Sequence, residues 1–162
     1  MSKKTGEKKA LQKRVKIMVF GTFDGLHPGH MSFFKQARAL VPQVLGQAQD
    51  LAPDGFLIVS VARDRNVLKI KGKLPVLGEK QRVTLIKKSG LADKVVLAGI
   101  KNHLPHIIQE RPNIIALGYD QKDYIKNLKK DLKAKNLSVK IVRLKPYKEK
   151  IYKNALLKSK NP

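Results

Sequence analysis

Hydrophobic positions in this chain fall into short unbroken runs separated by stretches of helical spacing. Val15-Lys16-Ile17-Met18-Val19-Phe20 is a β-branched run ending at Gly21, the mark of a strand followed by a breaker. From Pro28 onward Phe33, Phe34, Ala37, Leu40, Val41 and Val44 recur with the period of one helical face. That helix is expected to run irregularly to the turn Pro53-Asp54-Gly55. A second strand is predicted over Phe56-Leu57-Ile58-Val59-Ser60-Val61, then a basic loop through Lys69, Lys71 and Lys73 closed by Pro75. A helix follows from Gly78 to Ser89, with Val83 and Ile86 facing inward. Lys94-Val95-Val96-Leu97 predicts a third strand, and Leu104, Ile107 and Ile108 a short helix stopped by Pro112. Ile114-Ile115-Ala116-Leu117 is the fourth strand, ending at Gly118. Ile125, Leu128 and Leu132 mark another helix, Ser138 to Leu144 a fifth strand, and Asn154 to Lys158 a short terminal helix. Strands that are apolar throughout and alternate with helices point to an α/β fold with a parallel sheet covered on both faces.

Composition narrows what such a fold does here. The 162 residues suit one core, and the pattern divides into a basic arm at 1–13 and a single domain at 14–162. There is no cysteine, which excludes disulfides, thiolate nucleophiles and cysteine-held metals. Thirty-five Lys+Arg against 12 Asp+Glu leave a formal charge of +23, a field that attracts polyanions without naming one. Lysines scattered along every segment and an aromatic share of 6% argue against nucleic acid, which wants stacking platforms. No apolar run is long enough to cross a bilayer, and the basic start leads into no signal-type segment. The cytoplasm is therefore the expected location.

The chemistry concentrates in Gly21-Thr22-Phe23-Asp24-Gly25-Leu26-His27-Pro28-Gly29-His30. This stretch leaves the first strand and opens the first helix, where ligands bind in open α/β sheets. Pro28 suits a first helical position. Neither G-x-G-x-x-G nor G-x-x-x-x-G-K-[ST] is present. Two imidazoles three residues apart at a helix start can instead both point at one phosphate group. As donors or cations, His27 and His30 would stabilise charge developing on a phosphoryl centre, a reaction that needs positioning more than a protein nucleophile. Asp24 could orient an imidazole or a magnesium ion, or cap the turn.

Gly21-Thr22-Phe23-Asp24 followed by His27-Pro28-Gly29-His30 resembles the signature of the cytidylyltransferase-like nucleotidyltransferases. Val61-Ala62-Arg63-Asp64, Lys69-Ile70-Lys71-Gly72-Lys73, Gln81-Arg82, Asp93-Lys94-Val95-Val96 and Leu117-Gly118-Tyr119-Asp120-Gln121 bring the likeness closest to archaeal-type FAD synthases. The resemblance implies a Rossmann-like (HUP-type) fold, five parallel strands ordered 3-2-1-4-5. It also implies transfer of AMP from ATP to FMN with Mg²⁺ and release of pyrophosphate. In that order the Tyr119-Asp120 loop faces the histidine turn across the switch point.

The resemblance makes His27 and His30 the catalytic pair. Thr22, Phe23, Pro28, Gly29, Tyr119, Asp120 and Asn154 would then hold the nucleotide, and Asp24, Asp64, Lys71 and Arg82 the acceptor or a phosphate. No metal-ligating residue is named. Lys69, Lys71 and Lys73 would share one side of an extended segment, and His103 and His106 would serve core or surface. Relatives carry two hydroxyl residues at the start of the terminal helix, where this chain has Asn154-Ala155. The partners implied are a nucleotide and a phosphorylated acceptor, with no membrane and with room for a homodimer. Two rival readings stand beside this one: a cytidylyltransferase acting on glycerol phosphate or a related phospho-alcohol, and a non-catalytic nucleotide- or RNA-binding module.

Overall fold

The structure, a computed structural model, describes residues 14–41, 55–119, 121 and 123–146, without the side chains of 123–126. The arm at 1–13, the expected continuation of the first helix past residue 41, Asp120, Asn154 and the expected terminal helix lie outside the described residues. The elements run β1 (Lys16–Gly21), α1 (Pro28–Arg38), β2 (Phe56–Val61), α2 (Asp64–Lys71) and α3 (Glu79–Ser89). They continue with β3 (Lys94–Leu97), α4 (Leu104–Glu110), β4 (Ile114–Leu117), α5 (Asp123–Ala134) and β5 (Lys140–Arg143).

Five strands form one parallel sheet in the order β3-β2-β1-β4-β5. Alternation along β1 explains why it reads as continuously apolar. Ile17 and Val19 point into one core with Phe34 and Ala37 of α1 and Ile86 of α3. Met18 and Phe20 point into the other, with Ile107 of α4 and Leu128 and Leu132 of α5. Each such side chain removed from water contributes roughly 1.5–3 kcal/mol, so both sheet faces must be covered, and parallel crossovers supply the helices that do it.

The expected basic loop after β2 is corrected: residues through Lys71 form helix α2, closed by Gly72 in the left-handed conformation at φ 76°. Only Val67 of that helix is buried, so a single inward position left no periodicity to read. Winding also separates the lysines. Lys69 and Lys71, two residues apart, diverge around a helix instead of sharing one side. At the far edge β5 covers only part of the expected run from Ser138 to Leu144.

Candidate active site

The turn after β1 is held in an unusual backbone shape. Phe23 has φ 52°, a left-handed conformation costly for an aromatic residue. Its ring is buried at 4% exposure, packed on Phe34 at 5.2 Å and edge-on to His30 at 5.3 Å between centroids. The core occupies the ring, so a nucleotide contact of Phe23, as expected from sequence, would be made by its backbone. Phe23 is an anchor that fixes the loop from beneath.

His27 caps α1. Its Nδ1 accepts from the amides of Gly29 at 3.0 Å and His30 at 3.4 Å, satisfying donors that a helix start leaves orphaned. Acceptance at Nδ1 fixes the neutral tautomer with the proton on Nε2. The same bonds bear on the next two residues. Pro28 has no amide hydrogen and the Gly29 amide is already donated to His27, so both shape the turn and neither offers a backbone donor.

His30 stacks on His27 with ring centroids 3.7 Å apart and planes 20° from parallel. Burial and, secondarily, the adjacent His27 push the His30 pKa down to about 4, with a hydrogen bond to the Gly25 backbone acting the other way. At neutral pH this imidazole is therefore uncharged. Its Nδ1 is buried without a hydrogen-bond partner, an atom that costs free energy until something meets it. Of the two states considered from sequence, donor or cation, the lowered pKa speaks against the cation.

The acidic and basic candidates around this pair turn out to be bonded to the protein. The Asp24 carboxylate accepts from the amides of Val76 and Leu77, both at 2.8 Å. Arg82 is fully buried and donates to the carbonyls of Thr22 at 2.7 Å and Leu77 at 3.0 Å and to Asp64 at 2.6 Å. Asp64 also accepts from the Glu79 amide while Glu79 accepts from the Asp64 amide, so α2 and α3 cap each other. Arg82, expected from sequence to meet a phosphate, is thus held wholly by internal bonds, while Asp64 is bonded to Arg82 and the Glu79 amide and keeps 33% of its side chain exposed. A guanidinium with no exposed surface has no face for a phosphate.

Lys71 and Lys73 are exposed beside this lattice. The loop after β4 does reach β1, as the fold implied. Gln121 accepts from the Gly118 amide and donates to the Phe20 carbonyl, both at 2.8 Å. Arg143 donates to the carbonyls of Gly118 and Tyr119. Gln121 and Arg143 were missed from sequence, although Gln121 stands inside a quoted motif. On the other face His103 packs edge-on to Phe20 at 5.2 Å, and burial lowers the pKa of both His103 and His106.

A cytidylyltransferase-like family model matches residues 18–156, which take in the histidine turn and every strand from Met18 onward. The chain belongs to the cytidylyltransferase-like family. Among the relatives of this nucleotidyltransferase, an FAD synthase of Methanosarcina barkeri is 40% identical, covering 83% of this chain and 86% of that protein. An FAD synthase of Korarchaeum cryptofilum is 39% identical over 80% of each chain. Among solved structures, the lipopolysaccharide core biosynthesis protein of Thermoplasma volcanium superposes with a TM-score of 0.69 at 32% identity, covering 82% of this chain and 98% of that one. A pantoate-β-alanine ligase of Francisella tularensis, at 15% identity and a TM-score of 0.50 over 82% of this chain and 59% of its own, shares the fold alone.

Among the described residues no group of three or more His, Asp or Glu side chains could hold a metal ion, and Asp24 already accepts two amides. No described helix is long and apolar enough to cross a membrane.

Proposed function

We propose that this nucleotidyltransferase is an FMN adenylyltransferase, making FAD and pyrophosphate from ATP and FMN in the cytoplasm. The observation that carries the reading is the stacked, helix-capping pair His27 and His30 at the mouth of the sheet, on a chain 36–40% identical to archaeal FAD synthases. A phosphate oxygen of FMN attacks the α-phosphorus of ATP, forming one P–O bond as the bond to the β-phosphate oxygen breaks and pyrophosphate leaves. His27 donates from Nε2 and His30, stacked against it, helps stabilise the phosphoryl oxygens as charge builds, a contribution of about 10²–10³-fold for a preorganised site. Magnesium enters on the triphosphate, as part of the substrate. Thr22 and the Tyr119-Asp120 loop border the nucleotide, and Lys71 meets phosphate charge from an exposed helix end.

Incubation of the full chain with ATP, FMN and magnesium, followed by chromatography with flavin fluorescence, is expected to yield FAD and one pyrophosphate per FAD. CTP with glycerol phosphate serves as the parallel arm. Formation of a cytidylyl product there, with no FAD, would overturn the assignment.

A further inference from the structure

We infer that Arg82 and Asp24 form a positioning pair that latches the 72–78 segment onto the phosphate turn and so sets the geometry of the transfer. This rests on the reading of the histidine turn as the reaction site. Neither residue touches substrate in the proposal; both act through backbone.

The latch is built from two opposed sets of bonds. From the turn, the Asp24 carboxylate reaches across to the amides of Val76 and Leu77. From α3, Arg82 reaches back to the Thr22 carbonyl, two residues before Asp24, and to the Leu77 carbonyl. Leu77 is therefore gripped at both its amide and its carbonyl, and Thr22 and Asp24 are fixed from opposite sides. The remaining guanidinium nitrogen meets Asp64 at 2.6 Å, which balances the buried charge and locks it to the mutual caps of α2 and α3.

Two features indicate that the latch holds a surface in place and is not filling of the core. Leu74 and Val76 are exposed at 57% and 79%, so apolar packing does little to fix this segment. Exposed Lys73 lies on it, between Gly72 and the latched amides. Displacement of about 1 Å at a reacting centre can cost ~10²-fold in rate without any lost contact to substrate. An arginine is required because its planar fork serves three acceptors in fixed directions, which a lysine ammonium cannot reproduce.

The test uses the full chain with Arg82→Gln, Arg82→Lys and Asp24→Asn. Hydrogen exchange over 72–78 is read first, since it needs no turnover. All three variants are expected to exchange at Val76 and Leu77 at least tenfold faster than wild type, with strands Lys16–Gly21 and Phe56–Val61 unchanged. In the transferase assay kcat is expected to fall ~10²-fold for Arg82→Gln and less for Arg82→Lys, with KM for ATP within about threefold. Arg82→Gln combined with Asp24→Asn is expected to lose little more than the worse single variant, because one latch is broken twice. Unchanged exchange at Val76 and Leu77, or additive losses in the double variant, overturns the latch. If Arg82→Gln fails to fold, Asp24→Asn carries both readouts by the same criteria. A wild type that makes no FAD refutes the acceptor assignment, while the exchange result still decides the latch.

Discussion

Consider His30 as the protein is taken from pH 7 to pH 5. In the unfolded chain this imidazole takes up a proton near its ordinary value of 6.5, whereas burial and His27 hold the folded value near 4. Between those values the unfolded state binds the extra proton, so acid favours unfolding. The stability tied to neutral His30 is whole above pH 6.5, declines as pH falls through 6 and 5, and is exhausted below about 4. At pH 5 nearly all unfolded chains but only about a tenth of folded ones carry the proton, which corresponds to roughly 2 kcal/mol lost since pH 7. That is a large share of a typical folding free energy. The assay is urea unfolding at pH 7, 6 and 5 at fixed ionic strength, for wild type and His30→Gln. Repulsion among the 35 Lys and Arg side chains, and protonation of His103 and His106, act on both proteins and cancel in the difference. Wild type is expected to lose about 2 kcal/mol more than the variant between pH 7 and 5. Parallel curves would refute the claim that His30 is held neutral by its surroundings.

Turnover provides the complementary check: His30→Ala is expected to lower kcat by ~10²–10³-fold while the circular dichroism spectrum is retained, and near-wild-type turnover would remove His30 from the mechanism. His27 separates two roles. His27→Ala should lose both the cap, about 1 kcal/mol, and turnover, whereas His27→Asn should regain the stability in a thermal melt without the activity. Gly21→Ala would place a methyl 2.6 Å from Cζ of Phe23, so the buried ring must shift; a loss of about 1–3 kcal/mol is expected in denaturant titration, and an unchanged midpoint would show that the anchor is looser than described.

Much of the fold could be read directly from the chain, and the reason is physical. A strand buried on both faces carries an apolar residue at almost every position, so β2 and β4 stood out, with breakers Gly55, Pro112 and Gly118 beside them. Helix α2 did not, because one buried residue, Val67, gives no period. In the site, the histidine pair was legible as a motif but its electrostatics were not: neutrality of His30 depends on burial by Phe23 and stacking with His27, which only three dimensions supply. Arg82 misled for a related reason. Arginine beside a phosphate site suggests an ionic contact to ligand, yet its acceptors, Thr22, Leu77 and Asp64, lie 60, 5 and 18 residues away. Carbonyl acceptors in particular carry no sequence signal.

The two charge patterns of this molecule fit together once their locations are separated. The net charge is +23, and among the described residues nearly every lysine is exposed, where water and salt moderate its charge and where it acts at long range on polyanions. At the turn, by contrast, His30 is uncharged at neutral pH and Arg82 is paired with Asp64. A permanently cationic grip at the reacting phosphorus would bind triphosphate and pyrophosphate strongly in the ground state, and interactions equal in ground and transition states do not raise kcat. Neutral donors behave differently, since their bonds strengthen as negative charge accumulates on the oxygens they face. Under the proposed mechanism capture falls to the lysine surface and rate to the histidines, which accounts for a chain so rich in cations burying Arg82 beneath the histidine turn instead of extending it into the crevice.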